Sequence, residues 1–160
     1  MFTEINGLPV HPLAVHGAVV LVPLAALMAV LFAIPKTRAW SRWPLLLVSI
    51  GAVGAVFVAR QSGFKLKEHL AAKGHLADLV ATHQSRAKVL IILVTLFALV
   101  AIAAFVLTRS PDTSKAIVTT LSVVLVVGAV VIAFQTYRVG ELGSKIVYNP
   151  DGNVDFGSSD

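Results

Sequence analysis

Cysteine is absent from this chain of 160 residues. Its absence excludes disulfide bonds, thiolate metal sites and cysteine nucleophiles. Charge is scarce as well, since Asp, Glu, Lys and Arg make up 13% of the residues, against about 25% in an average soluble domain. Four long apolar segments carry no charged residue at all. A proton or ion pathway through the centre of a bilayer is therefore not expected.

Apolar residues take the place of the missing charge. They account for 57% of the chain, and the mean hydropathy is +0.86. The apolar share of soluble domains is lower, at roughly 45–50%. Runs of about 20 apolar residues are long enough to cross about 30 Å of hydrocarbon. The sequence therefore predicts an integral membrane protein with one transmembrane domain, residues 1–148, followed by a flexible polar tail, residues 149–160.

The apolar runs predict an all-α fold, a four-helix transmembrane bundle with an interfacial helix between spans two and three. The four spans are expected at about 13–34, 43–62, 87–107 and 115–135. Gly63 and Gly74 punctuate the hydrophilic connection 60–88, which favours a separate short helix at about 64–73. Apolar positions recur at helical spacing after Gly74 and predict a helix from about His75 into span three.

Small residues form a stripe along span two. Gly51, Ala55 and Ala59 recur at four-residue spacing, so another helix can approach closely and gain van der Waals contact. We expect this stripe to be a helix-packing surface.

All five histidines are predicted to lie at one face of the membrane. Two stand at the start of span one and three in the connection 60–88, and four spans place both regions on the same side. Neutral imidazole is a common ligand for haem iron, copper and zinc, and it relays protons near neutral pH. The five residues are His11, His16, His69, His75 and His83.

Helix geometry narrows the choice of ligands at the start of span one. His11 and His16 are five residues apart, about 140° around a helix, so they cannot both face one partner from a regular helix. Pro12 suits the first helical position and makes His11 an N-cap residue. His16 is therefore the candidate cofactor ligand, with His83 as its partner across the bundle. His11 and His75 are weaker candidates.

A metal site is predicted to draw on the same face of the membrane. Its candidate ligands are His11, His16, His69, His75, His83 and Glu141. No nucleophile accompanies these groups, so no catalytic residues are predicted and the chain is not expected to be an enzyme. A purely structural interpretation stays open, in which the imidazoles cap helix ends and satisfy backbone groups.

The net charge of +5 does not indicate nucleic-acid binding. The basic residues are scattered over several loops beside the apolar spans, without interleaved exposed aromatic residues, and we interpret them as topology signals. Their raw count favours a cytoplasmic 60–88 connection, whereas their density in the short turns 35–43 and 108–115 favours the opposite. By a small margin, both termini are predicted to lie outside the cytoplasm.

Residues 5–16, which read Ile-Asn-Gly-Leu-Pro-Val-His-Pro-Leu-Ala-Val-His, resemble the opening of domain-of-unknown-function family 2231. Members of this family are small bacterial four-helix membrane proteins. Residues 61–63 (Gln-Ser-Gly), the histidines around 69 to 83, and residues 139–143 (Val-Gly-Glu-Leu-Gly) resemble later parts of its actinobacterial members. The resemblance implies a multi-pass protein of the bacterial inner membrane.

The resemblance also implies electron-transfer surroundings and an extracytoplasmic C-terminus, because some relatives are fused to c-type cytochrome domains. The chain departs from these relatives at two positions. Glu141 stands where members often carry histidine, and Tyr148 stands where they often carry tryptophan. A site that uses this histidine is therefore not carried over, although Glu141 is itself able to bind a metal or accept hydrogen bonds.

The leading hypothesis about function is a non-catalytic accessory or assembly subunit of a bacterial membrane complex, such as a respiratory one. Its partners would be the lipid bilayer and either other membrane subunits or a second copy of the chain. The alternative is a membrane redox protein that binds haem b or a metal through His16 and His83, with haem b not required. A small transporter is a further alternative, which the four charge-free spans disfavour.

Overall fold

A computed structural model describes the backbone of residues 4–5, 8–71, 76–149, 151 and 153, and the side chains of 10–64, 76–149, 151 and 153. The elements in chain order are β1 (Glu4–Ile5), β2 (Leu8–Pro9), α1 (Val10–Ala33), α2 (Arg38–Ala71), α3 (Ala77–Leu107) and α4 (Lys115–Tyr148). The two short strands pair antiparallel just before α1. The predicted tail 149–160 lies outside the described residues except at positions 149, 151 and 153.

All four helices are long and apolar enough to cross a membrane. A segment without Asp, Glu, Lys or Arg covers part of each helix, and we take these charge-free segments as the membrane-spanning ones: 10–35, 43–59, 89–108 and 116–137. The predicted all-α bundle of four transmembrane helices is therefore confirmed. Three helices run on past their charge-free segments. Residues 77–88 of α3 form about three helical turns before the span begins.

The predicted interfacial helix at 64–73 is not found as a separate element. Residues 64–71 continue α2 without a break, and residues 72–75 lie outside the described part of the chain. Gly63 had been expected to punctuate the chain at this point. It is instead an ordinary helical residue whose missing side chain makes room for a neighbouring helix.

Each helix packs against the next helix in the sequence, and α1 closes the ring against α4. The contact between α1 and α2 is the most extensive of the four. A Cβ atom at Gly51 would lie 3.6 Å from Leu21 of α1, and a Cβ atom at Gly17 would lie 3.6 Å from Ala55 of α2. The small-residue stripe of span two is thus a packing surface inside the bundle.

Arg38, the first residue of α2, closes the C-terminal end of α1. Its Nε donates to the carbonyl of Phe32 at 3.1 Å, and its Nη2 donates to the carbonyl of Ala33 at 3.0 Å. These carbonyls belong to the last turn of α1, where no intrahelical donor is available. The guanidinium therefore donates the hydrogen bonds that a further turn of α1 would have supplied to these carbonyls.

A buried amide joins α3 to α4 at the end of the bundle that carries the long connection. Gln135 of α4 is only 7% exposed, and its Nε2 donates to the carbonyl of Arg86 in α3 at 2.9 Å. The next residue, Thr136, is equally buried, but its hydroxyl donates within its own helix to the carbonyl of Ile132. Gln135 thus fixes the position of α3 relative to α4, and Thr136 does not.

Replacing Gln135 with methionine is expected to lower the free energy of unfolding by about 0.6 kcal/mol, and by at most about 1.7 kcal/mol, the range measured for hydrogen bonds between membrane helices. Unfolding of the purified protein in mixed micelles with increasing dodecyl sulfate measures this change. Thr136→Val is the matched control, because it removes a hydroxyl that bonds only its own helix. An equal loss in both variants would show that the amide does not hold the two helices together.

Candidate ligand-binding site at the polar end of the bundle

The structure brings His11 of α1 and His83 of α3 together at the end of the bundle that carries the N-terminus. Their ring centroids are 6.4 Å apart, and the ring planes are inclined at 86°. His16, the partner expected for His83, is exposed, and its Nδ1 lies 2.6 Å from the carbonyl oxygen of Pro12 in its own helix. The pairing of His16 with His83 stays a prediction, and the observed contact favours His11 in its place.

His11 reaches across to α2 through a hydrogen bond. Its Nδ1 lies 2.8 Å from the carbonyl oxygen of Ala59. Because a carbonyl oxygen only accepts, Nδ1 carries the proton, and in the neutral ring Nε2 then keeps its lone pair. Since α1 begins at Val10, His11 is a residue of the first helical turn rather than the expected N-cap. Its ring is held in the orientation and tautomer that histidine ligands of metals commonly have.

Two glycines lie directly against the two imidazole rings. A Cβ atom at Gly63 of α2 would lie 3.0 Å from Cε1 and 3.1 Å from Nδ1 of His11, which is too close for an undisturbed contact. A Cβ atom at Gly143 of α4 would lie 3.4 Å from Cε1 of His83. Sequence reasoning missed the role of both glycines. The available signal was that both fall in the two later segments that resemble the family, residues 61–63 and 139–143.

Both rings line one cavity of about 120 Å³. Most of its wall is apolar and comes from α2, α3 and α4, for example Ala59, Val80 and Ile146. An engineered cavity of about 150 Å³ holds a benzene molecule, so this cavity matches a single ion with a few waters or a comparably small molecule. A four-pyrrole macrocycle is far larger.

Two further polar side chains, Arg60 and Gln84, reach the wall of the cavity. The Cζ atom of Arg60 lies 4.8 Å from the centroid of the Phe64 ring, also part of this wall, in a cation–π arrangement. A positive charge therefore borders the site. For a metal ion at this site, the charge favours a monovalent ion, or an ion bound together with an anion, over a bare dication.

His83 lies outside the charge-free segment 89–108, and its environment favours the neutral imidazole. Its Nδ1 is buried and has no hydrogen-bond partner in the described part of the chain. Burial has the largest effect and lowers the pKa of His83, and the neighbouring His11 lowers it further. A hydrogen-bonding interaction with the backbone of Val139 raises the pKa in part, but it does not give Nδ1 a partner. A lowered pKa keeps the ring neutral, and able to offer a lone pair, at a pH where an exposed histidine is partly protonated.

The other predicted ligands do not join this pair among the described residues. Glu141 is exposed and forms an ion pair with Lys145 at 2.7 Å, a hydrogen bond that lowers the pKa of Glu141. It is not among the residues that line the cavity. The side chain of His69 and the whole of His75 lie outside the described residues. Within the part that is described, no group of three His, Asp or Glu side chains is placed to hold a metal ion.

Comparison with known proteins bears on the identity of the chain. The sequence model of the family described as "Predicted membrane protein (DUF2231)" matches residues 7–155. Searches of curated proteins and of solved structures find no match. The matched range contains all four helices, the histidine pair and the two glycines that flank it. The chain therefore belongs to domain-of-unknown-function family 2231, a family of membrane proteins.

Proposed function

We propose that this membrane protein binds a transition-metal ion between His11 and His83. The observation that carries the proposal is the pair itself, two imidazoles from separate helices that face one small cavity. The hydrogen bond from Nδ1 of His11 to the Ala59 carbonyl supports it, because it leaves Nε2 as a lone-pair donor. The buried Nδ1 of His83 supports it further, because it has no hydrogen-bond partner among the described residues, and leaving such a group unsatisfied normally costs about 1–3 kcal/mol.

The distance between the rings is compatible with a shared ion. Metal–nitrogen bonds of about 2.0–2.1 Å place the centroids of two imidazoles on one ion at most roughly 6.4 Å apart, when the nitrogens lie on opposite sides of the metal. The observed 6.4 Å is within a few tenths of an ångström of that open arrangement. A tetrahedral ion would require the rings to move closer. Two protein ligands leave further coordination positions for water, an exogenous ligand or His75, which remains a candidate.

Haem b is the competing ligand for the same pair. The cavity volume favours a single ion, because haem requires the helices to part around the macrocycle. The hypothesis that His16 and His83 bind haem gains no support, because His16 is exposed and its Nδ1 contacts the carbonyl oxygen of Pro12 in its own helix. An optical spectrum separates the two ligands, since ferrous haem has intense bands that a bare metal site lacks.

An accessory or assembly role in a bacterial membrane complex fits a small protein with one such site. We propose this role for the inner membrane, with the histidine end outside the cytoplasm. The two short turns at the other end hold five basic side chains and one acidic one, which supports a cytoplasmic location for that end. Because the stripe Gly51, Ala55 and Ala59 packs within the bundle, the polar end rather than this stripe is the proposed surface for a partner.

Removal of either imidazole of the pair is expected to weaken metal binding by at least about tenfold, as loss of even an outer-shell partner commonly does. The measurement is a titration of purified, detergent-solubilised protein with Zn²⁺, Cu⁺ and Co²⁺, with elemental analysis for the ions per chain. His11→Gln and His83→Gln are the test variants, and His16→Gln is the matched control that leaves affinity unchanged.

Two results would contradict this proposal. One is the failure of wild-type protein to bind any of the three ions above the level of both test variants. The other is an equal loss of affinity in His16→Gln. A reduced-minus-oxidised spectrum with Soret and α bands that disappear in His11→Gln and His83→Gln would instead assign haem b to the pair.

Gly63→Ala is expected to lower metal affinity by about tenfold, the smaller end of the effect of outer-shell changes, because a methyl group there forces the ring of His11, held by Ala59, to shift by a few tenths of an ångström. Gly140→Ala is the matched control, since a Cβ atom at that position meets nothing within 4 Å. Alanine stabilises an α-helix by about 1 kcal/mol relative to glycine. A loss of affinity in Gly63→Ala alone therefore cannot come from a weakened helix, and equal affinities in the two variants would exclude a positioning role for Gly63.

A further inference from the structure

A second concavity lies at the opposite end of the bundle, between the end of α1 and the first turns of α4. This groove has a volume of about 440 Å³ and is open on one side. Its wall is mostly apolar, with Ala33 and Pro35 on the α1 side and Val123, Val126 and Val127 on α4. The hydroxyl of Ser122, also in the wall, is satisfied by the carbonyl of Val118 in its own helix. The groove therefore offers a hydrocarbon-like surface at membrane depth.

Arg38 is part of the wall of this groove. Two of the five N–H donors of its guanidinium bond the carbonyls of Phe32 and Ala33, which fixes the position of the group while other donors remain available. Lys36 and Lys115 are exposed at the adjoining helix ends. Arg42 and Arg109 complete the five bases of this end, and Asp112 is the one acidic residue of the two turns. An apolar groove is thus bordered by excess positive charge.

We propose that this groove binds one anionic phospholipid of the surrounding bilayer. One acyl chain lies along the valines of α4, and the phosphate is bound by Arg38 with Lys36 beside it. Arginine presents donors that match the geometry of phosphate oxygens. Basic pockets between transmembrane helices are known surfaces for anionic lipid head groups. The groove has no residue in common with the histidine cavity, so the proposal is independent of metal binding.

Lipid retention by the intact protein tests the proposal. Native mass spectrometry in a neutral detergent, with phosphatidylglycerol or phosphatidylcholine of identical acyl chains, is expected to show one tightly held phosphatidylglycerol per chain. The preference over phosphatidylcholine is expected to fall about fivefold for each base removed, the factor that corresponds to about 1 kcal/mol per Lys or Arg near an anionic surface. The test variants are Lys36→Gln and Lys36→Gln combined with Arg38→Gln.

Two further variants separate charge from packing. Because Arg38 also closes the end of α1, Lys36→Gln combined with Lys115→Gln removes charge while this closure is kept. Val123→Trp fills the groove and is expected to release the lipid while all five bases stay. Arg138→Gln combined with Lys145→Gln removes two bases at the other end of the bundle and serves as the matched control.

The proposal is overturned if the wild-type protein does not distinguish the two lipids, or if the control at the other end lowers the preference as much as the test variants. Inorganic phosphate is the remaining arm of the experiment. If phosphate competes as well as phosphatidylglycerol and Val123→Trp has no effect, the site binds a free anion and the groove holds no lipid.

Discussion

The close approach of α1 and α2 is the constraint on which the arrangement of the polar end depends. Lipid supplies no hydrophobic drive between helices, so the helices associate through van der Waals contact between closely packed surfaces. Gly17 with Ala55 and Gly51 with Leu21 set this approach along the interface. Where the interface leaves the membrane, Gly63 continues the same pattern and admits an imidazole ring. The contact between α1 and α2 therefore also places His11 within hydrogen-bonding distance of the carbonyl of Ala59.

The second ring reaches the same place because α3 is longer than its span. Residues 77–88 carry the helix about three turns beyond the charge-free segment, and His83 lies in the middle of this extension. The Gln135 amide, bonded to the backbone of Arg86, fixes α3 against α4 one turn away. Residues of α4 thus position His83, since Gly143 lies against its ring. Residues of α2 position His11, since Gly63 lies against that ring. The pair depends on all four helices, since α1 and α3 are not a principal contact of the bundle.

The sequence predicted the four spans because charge is excluded from them, a signal that does not depend on neighbouring helices. Helix ends were less predictable. The second and fourth spans are predicted to end near 62 and 135, whereas the helices that contain them extend to Ala71 and Tyr148, since polar residues continue a helix in water as readily as they end a span. The five-residue spacing predicts that His11 and His16 face different partners, and their Nδ1 atoms contact the carbonyl oxygens of Ala59 and Pro12 respectively. The choice of His16 over His11 depends on an N-cap at His11, whereas α1 begins at Val10. Which of the two histidines faces His83 also depends on how α1 is rotated about its axis relative to α3, and the sequence of one helix does not determine this rotation.

Glycine alone would not have identified the site, and the contrast among glycines shows why. Gly54 and Gly140 also lie inside helices, but a Cβ atom at either position meets nothing within 4 Å. Every glycine inside a helix destabilises it by about 1 kcal/mol relative to alanine. Because this cost is the same at all these positions, the presence of glycine does not by itself indicate a ligand site. At Gly63 a side chain would force the hydrogen-bonded ring of His11 to shift by a few tenths of an ångström. The ring of His11 belongs to α1 and is held in place by Ala59 and Gly63 of α2. A metal ligand requires a ring orientation that is fixed in this way, whereas a solvated histidine does not.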